Sequence, residues 1–245
     1  MWLAYIIMAF VAYLVAMIYF RPGWKDGLVT FGIVLLCVTF YIFLTSGVDV
    51  SGREMFAAHK LLEAYDDLNG YTSDISKFQK KQVTYGEITG DGVKELKKIA
   101  AQYGGLSEFV DMGCGVGRSL VLARISGFKK CTGIELVEDR FKQAQSLISK
   151  LPREWQSNIT VHHGDALQYD MKSHASTLVY ASNLMWSREM NERLFAKMAK
   201  ECPKGTVVVV SNVDGFKAGH GIVMMGSTIV PMSWDLTSVV YILLI

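Results

Sequence analysis

Three carboxylates, Asp111, Glu135 and Asp165, each stand at or just past the end of a short apolar run. The first is followed at once by Gly113-Cys-Gly-Val-Gly117. Glycines at that spacing let a backbone approach a ligand closely, and the helix that such a turn opens offers free N–H groups. The spacing is G-x-G-x-G, with Arg118 where a dinucleotide-binding G-x-G-x-x-G carries its last glycine. Asp111 would repel a pyrophosphate but suits the cationic α-amino group of S-adenosylmethionine. Glu135, in Gly133-Ile-Glu135, is placed to accept both ribose hydroxyls of a nucleoside. Asp165, in His163-Gly-Asp165-Ala166, is placed to accept from an adenine amine. Asp111, Gly113, Gly115, Gly117, Glu135, Asp165 and Ala166 are therefore expected to bind one sulfonium nucleoside, S-adenosyl-L-methionine. A fourth motif, Tyr180-Ala-Ser182-Asn183-Leu-Met-Trp186, sets a polar pair before bulky apolar side chains, as an acceptor site would need. Methyl transfer from a sulfonium is an in-line displacement governed by positioning and water exclusion, and an apolar channel would hold a lysine amine neutral. His162 and His163 read as strand-end residues, and no metal site is expected.

The elements that must position these residues follow from periodicity. Asp91–Tyr103 reads as a helix capped by Asp91 and closed by Gly104-Gly105. Strands are expected at Ser107–Met112, Cys131–Leu136, Asn158–His162, Thr177–Ser182 and Thr206–Ser211. Helices are expected from the glycine turn to Ser126, over Asp139–Ser149 and over Arg188–Lys200. Two β-like runs, Ser227–Met232 and Val239–Ile245, close the chain with no helix between them. Strand–helix alternation makes an α/β, doubly wound, mostly parallel sheet, and the closing pair makes an antiparallel C-terminal edge. That is a Rossmann-like class I methyltransferase layout over 84–245.

In this order the motifs resemble the Dot1-type lysine methyltransferases, which are class I and not SET-domain enzymes. Val83-Thr-Tyr85-Gly-Glu87 is similar to the family's Y-G-E segment beside the cofactor. Asp-Met-Gly-Cys-Gly-Val-Gly-Arg is similar to its D-L-G-S-G-V-G-Q loop, and Ser233-Trp234 with Tyr241 to its S-W…Y pair, whose tyrosine lines the lysine channel. The resemblance implies that Glu87 lies at the cofactor, that Tyr85, Ser182, Asn183 and Tyr241 form the acceptor site, and that the partner is a lysine-bearing protein. Ala166 stands where the family has an aromatic ring, and Ser182-Asn183-Leu184 where it has N-N-F.

Upstream, Trp2–Phe20 and Leu28–Val48 carry no charged residue over 19 and 21 positions, joined by Arg21-Pro-Gly-Trp-Lys-Asp-Gly27. Each is long enough to span a bilayer as helix, so a transmembrane hairpin is expected over 1–48, with membrane contact through 2–20 and 28–48. A cleaved signal peptide would need the basic n-region that is missing, and buried core helices rarely run so long without a charge. Residues 49–83, with the helical pattern of Glu54–Leu68, form a linker arm. The catalytic domain is expected on the cytosolic or organelle-interior side, where the cofactor is supplied. The four scattered cysteines make neither a disulfide framework nor a zinc site. Net charge is +2 overall, and residues 51–245 carry 23 Lys+Arg against 21 Asp+Glu, so strong nucleic-acid binding is not expected. Two further functions fit the same residues: transfer to a lipid, quinone or other membrane-soluble acceptor, and a cofactor-binding membrane protein with little catalysis.

Overall fold

The computed structural model describes residues 85–174, 178–219 and 221–245, with Lys60 and Leu62 as two isolated helical positions, all in the unit 50–245. The expected hairpin at 2–20 and 28–48 and nearly all of the arm lie outside the described residues. Among the described residues no helix is long and apolar enough to cross a membrane.

The elements run α1 (Gly90–Tyr103), β1 (Glu108–Met112), α2 (Arg118–Ile125), β2 (Lys130–Glu135), α3 (Glu138–Ser149), α4 (Arg153–Gln156), β3 (Ile159–His163), β4 (Leu178–Ala181), α5 (Arg188–Glu201), β5 (Val207–Val210), β6 (Val223–Ile229) and β7 (Val239–Leu244). They form one seven-stranded sheet in the order β3-β2-β1-β4-β5-β7-β6. β3, β2, β1, β4 and β5 pair in parallel, and β7 is antiparallel to both β5 and β6. The closing strand pair thus forms the expected antiparallel C-terminal edge. β7 lies inside the sheet, and the edge strand β6 runs the same way as β5.

Side chains alternate between two apolar layers, as a two-residue period demands. Phe109, Leu178, Tyr180, Val207 and Val209 face a cluster with Leu96 of α1, Leu120 of α2 and Leu147 of α3. Val110, Val179, Ala181, Val208 and Val210 face Leu194, Phe195 and Met198 of α5. Leu62 packs on the first cluster. With both faces covered, β1, β4 and β5 are buried throughout, which explains the uninterrupted apolar sequence of β4 and β5.

Element ends differ from expectation where a side chain found a better partner. Thr89, not Asp91, caps α1: its hydroxyl accepts from Gly92 N at 3.1 Å and donates to Pro231 O at 2.9 Å. Asp91 sits in the first turn and pairs with Lys94. β6 begins four residues before the expected run and ends before Pro231, which has no N–H to contribute, and a bulge between Met224 and Gly226 resets its register. The short helix α4, entered from Pro152 and fixed by fully buried Trp155, is too brief to show a period.

Candidate active site

The carboxyl ends of β1, β2 and β4 and the loop after β3 open onto one groove. Gly113, Gly115 and Gly117 hold φ of +129°, +56° and +85°, a region open to glycine and strained for other residues. Gly115 also has no room for a side chain, since a Cβ there would stand 2.6 Å from the ring of Tyr85. Tyr85 thus lies directly on the glycine turn and divides the groove in two. One part is lined by Glu135, Asp165 and Ala166, the other by Asp111, Ser119 and Arg118; Tyr85, Gly86, Gly113, Gly115 and Ser182 border both. Of the three predicted carboxylates, Glu135 and Asp165 therefore share one part and Asp111 lines the adjoining one.

Asp111 is 2% exposed. Ser119, in the first turn of α2, donates to its Oδ2, while Oδ1 is buried without a hydrogen-bond partner among the described residues. Burial, with Glu135 adding repulsion and Ser119 opposing, pushes the Asp111 carboxyl up to about 7. An orphaned buried acceptor beside a glycine turn fits a ligand ammonium.

Glu135 does not stand free for a ribose. Its Oε2 accepts from Gly115 N and its Oε1 from Val137 N, both at 2.8 Å, so it ties the glycine turn to the loop opening α3. A carboxylate oxygen can accept a second donor, so these bonds still allow ribose contacts. Burial raises its pKa, with the two backbone bonds and Arg140 opposing. Asp165 is also turned partly onto its own loop, accepting from Leu167 N at 2.9 Å and Gln168 Nε2 at 3.3 Å. Ala166 is buried beside it.

The Tyr85-Gly86-Glu87 segment and Ser233-Trp234, far apart in sequence, interlock. Glu87 N donates to Ser233 Oγ at 3.0 Å, and Ser233 N donates to Glu87 O at 2.8 Å. The Trp234 ring lies so close over Gly86 that a Cβ there would stand 2.4 Å from it. The Tyr85 hydroxyl donates to Glu87 Oε1, and Arg118 approaches Glu87 Oε2 at 3.8 Å. Burial and the Glu87 charge hold the Tyr85 proton on far above the ordinary phenol range.

Of the expected acceptor residues, Ser182 and Tyr85 reach the groove. Together with Leu184, Met185, Trp186 and Trp234 they line an apolar mouth that adjoins it. Asn183 does not line it. Fully buried, its Oδ1 accepts from Ser211 N and Asn212 N at 2.8 and 2.9 Å, and its Nδ2 donates to Asn191 Oδ1 and Asn212 O at 2.9 and 2.8 Å. An amide so fully engaged is a strut. Tyr241 pairs with Val210 at the carboxyl edge but packs on the α5 layer, away from the mouth.

Arg140, Ser119 and Arg193 also line the groove, and none of them was expected from the sequence. Arg140 is 4% exposed and holds its guanidinium 4.7 Å from the Tyr85 ring centroid. Periodicity shows it only as one charged residue of a surface helix. His163 stacks on Phe141, His162 packs on Tyr169, and no metal-ligating group of three occurs among the described residues.

Residues 109–205 match the family model described as a methyltransferase domain. This is a class I methyltransferase domain, and S-adenosylmethionine is its cofactor. A candidate RNA methyltransferase from Pyrococcus horikoshii is 16% identical, with 79% of this chain and 98% of that chain covered at a TM-score of 0.52. An RNA methyltransferase from Salinibacter ruber, solved with S-adenosyl-L-homocysteine, is 17% identical, with 63% of this chain and 88% of that chain covered at a TM-score of 0.45. No curated protein matches the sequence. At 16% identity and a TM-score of 0.52, the likeness to the Pyrococcus horikoshii structure carries the fold alone. Nothing in it supports the Dot1-type assignment over other class I families.

Proposed function

We propose that the chain is a membrane-tethered, S-adenosylmethionine-dependent methyltransferase of a protein lysine. The observation that carries the acceptor class is the lining of the mouth: Leu184, Met185, Trp186 and Trp234 around Ser182 and Tyr85, with no carboxylate, histidine, lysine or arginine among the lining residues. A hydroxyl acceptor needs a base to remove its proton in the transition state. A lysine needs only to arrive neutral, and desolvation between two indoles and two aliphatic side chains favours that form.

The bound cofactor would supply a methyl group on an electrophilic sulfonium. Asp111 would hold the ammonium end through its unpaired Oδ1, and Glu135 and Asp165 would flank the ribose and adenine. Tyr85, pinned between the glycine turn and Arg140, would order the middle of the groove and keep its own proton. Ser182 sits where groove and mouth meet and would accept from the incoming amine. Leu184, Met185, Trp186 and Trp234 would exclude water.

The RNA acceptors in the names of the two similar structures are not favoured here, since a net charge of +2 gives little purchase on a phosphate backbone. A second reading, transfer to a lipid or other membrane-soluble molecule, draws support from the same apolar mouth. The test is label transfer from methyl-tritiated S-adenosylmethionine in membranes holding the chain. Label is expected in protein, released as methyl-lysine on hydrolysis and absent with Asp111→Asn. Label confined to the lipid extract would replace the lysine reading with the second.

A further inference from the structure

All nine large apolar side chains that are exposed among the described residues lie in just two places. Leu184 and Met185 border the acceptor mouth, and the other seven belong to the β6–β7 hairpin and its tip. Residues 222–245 contain a single charge, Asp235, and residues 177–187 contain none. A water-facing edge hairpin ordinarily carries lysines or other charges that keep it solvated and unpaired. The one carboxylate is exposed and engaged locally: Asp235 Oδ1 accepts from Thr237 N and Thr237 Oγ1 at 2.9 and 2.8 Å.

The register shows which of these side chains share an edge. Ile229 pairs with Val239, and Tyr241 pairs with Val210 at the end of β5, so the tip between β6 and β7 lies at the carboxyl edge of the sheet, where the mouth opens. Trp234 lines the mouth while 40% exposed, and Leu236, two residues on, is 69% exposed. Leu184, Met185, Trp234, Leu236, Ile229 and Val239 thus make an apolar rim around the acceptor entrance. The tip also satisfies much of its own backbone. Val230 N donates to Ser238 O, Met232 N to Asp235 O, Ser233 N to Glu87 O and Ser238 N to Asp235 O. That is the condition for entering a medium poor in hydrogen-bonding water.

We propose that this rim dips into the interfacial layer of a lipid bilayer, so that the acceptor reaches the mouth from the membrane surface. Three observations select a bilayer as the occupant. The rim carries aliphatic side chains and an indole, the composition of an interfacial anchor. Its near absence of charge gives an acidic or basic protein surface nothing to pair with. The same chain carries the charge-free stretches 2–20 and 28–48, each long enough to hold it at a bilayer. The inference rests on the methyltransferase reading for the identity of the mouth, but its test does not.

The test places a nitroxide label at Leu236→Cys in the full chain reconstituted in phosphatidylcholine vesicles, with Lys98→Cys as the aqueous reference. Cys114, Cys131 and Cys202 are buried, and Cys37→Ala removes the remaining thiol. Leu236 is mostly exposed, so its replacement leaves the core intact. In vesicles the label at 236 is expected to lose broadening by a water-soluble nickel complex and gain broadening by oxygen. The label at 98 stays open to nickel. Equal nickel access at both positions would overturn the proposal, as would shielding at 236 that appears only when a soluble protein partner is added. Calorimetric binding of S-adenosylmethionine to the same samples separates the two ideas. Binding with an aqueous 236 label removes the docking alone, and absent binding with a shielded label removes the methyltransferase reading alone.

Discussion

At the scale of single residues, the Asp111 carboxyl governs both ligand and pH behaviour. Its buried Oδ1 lacks a partner, and burial raises its pKa to about 7. Holding an ammonium requires the ionised form, so cofactor affinity is expected to rise as pH approaches 7 from below, by about tenfold per unit, and to level off above it. Stability of the unliganded domain should move the other way. The folded state holds the proton more tightly than the unfolded chain does, so raising pH from the ordinary aspartate range through about 7 removes stability, on the order of a few kcal/mol. Above that window the loss is complete. Asp111→Asn should abolish cofactor binding by calorimetry while flattening this slope in chemical denaturation. A variant that retained both the slope and the affinity would place the ammonium elsewhere. Asn183 makes a second residue-scale case. Its amide serves four backbone and side-chain partners from the end of β4. Asn183→Ala should cost about 2–4 kcal/mol of stability through stranded buried groups. Remaining folded protein should keep its KM for S-adenosylmethionine, and a loss of turnover at unchanged stability would instead return Asn183 to catalysis.

At the scale of elements, the segment Tyr85–Glu87 and the β6–β7 tip form a strap over the glycine turn. One backbone–backbone hydrogen bond and one to the Ser233 hydroxyl join Glu87 to Ser233, and Trp234 packs on Gly86 where no Cβ fits. Gly86→Ala should push the Trp234 ring out of place, costing about 1 kcal/mol as a packing change of this size does. Its main effect should be a raised KM for the acceptor, with cofactor affinity changed less, since the displaced Trp234 ring lines the mouth and neither part of the groove. Steady-state kinetics with each substrate varied would distinguish this from a general loss of fold. What could be read in advance follows from the range of each interaction. The strands and the G-x-G-x-G turn were legible because period and turn chemistry are local, and the three carboxylates followed by falling at strand ends. The meeting of Gly86 with Trp234 was suggested only by a resemblance, since no local pattern encodes a contact across some 150 residues. Asn183 was misread for a related reason. Its position after β4 is that of an acceptor-site residue, but the partners that turn its side chain inward come from α5 and the loop after β5. Arg140 was missed because a cation buried against a ring looks, in sequence, like any charge on a helix.

At the scale of the whole molecule, the N-terminal stretches are set apart by their lack of charge. Among the described residues both layers are assembled from the segments between Ile88 and Ile245, with Leu62 as a further contact. The stretches 2–20 and 28–48 carry no charge, and that length suits a bilayer. If they are spans, the full chain should stay with membranes after alkaline carbonate extraction, which strips peripheral proteins. A chain beginning at residue 49 should be released, yet bind S-adenosylmethionine with unchanged affinity. The rim around the mouth would then give that shortened chain a weak, reversible hold on neutral vesicles, because a few apolar side chains without a basic patch anchor poorly. Turnover on a membrane-borne acceptor should fall far more than cofactor binding, since the tether raises the local concentration of enzyme at the surface. Release of the full chain by carbonate would remove the hairpin. Equal turnover by both chains on a membrane acceptor would show that the stretches do not serve to bring enzyme and acceptor together.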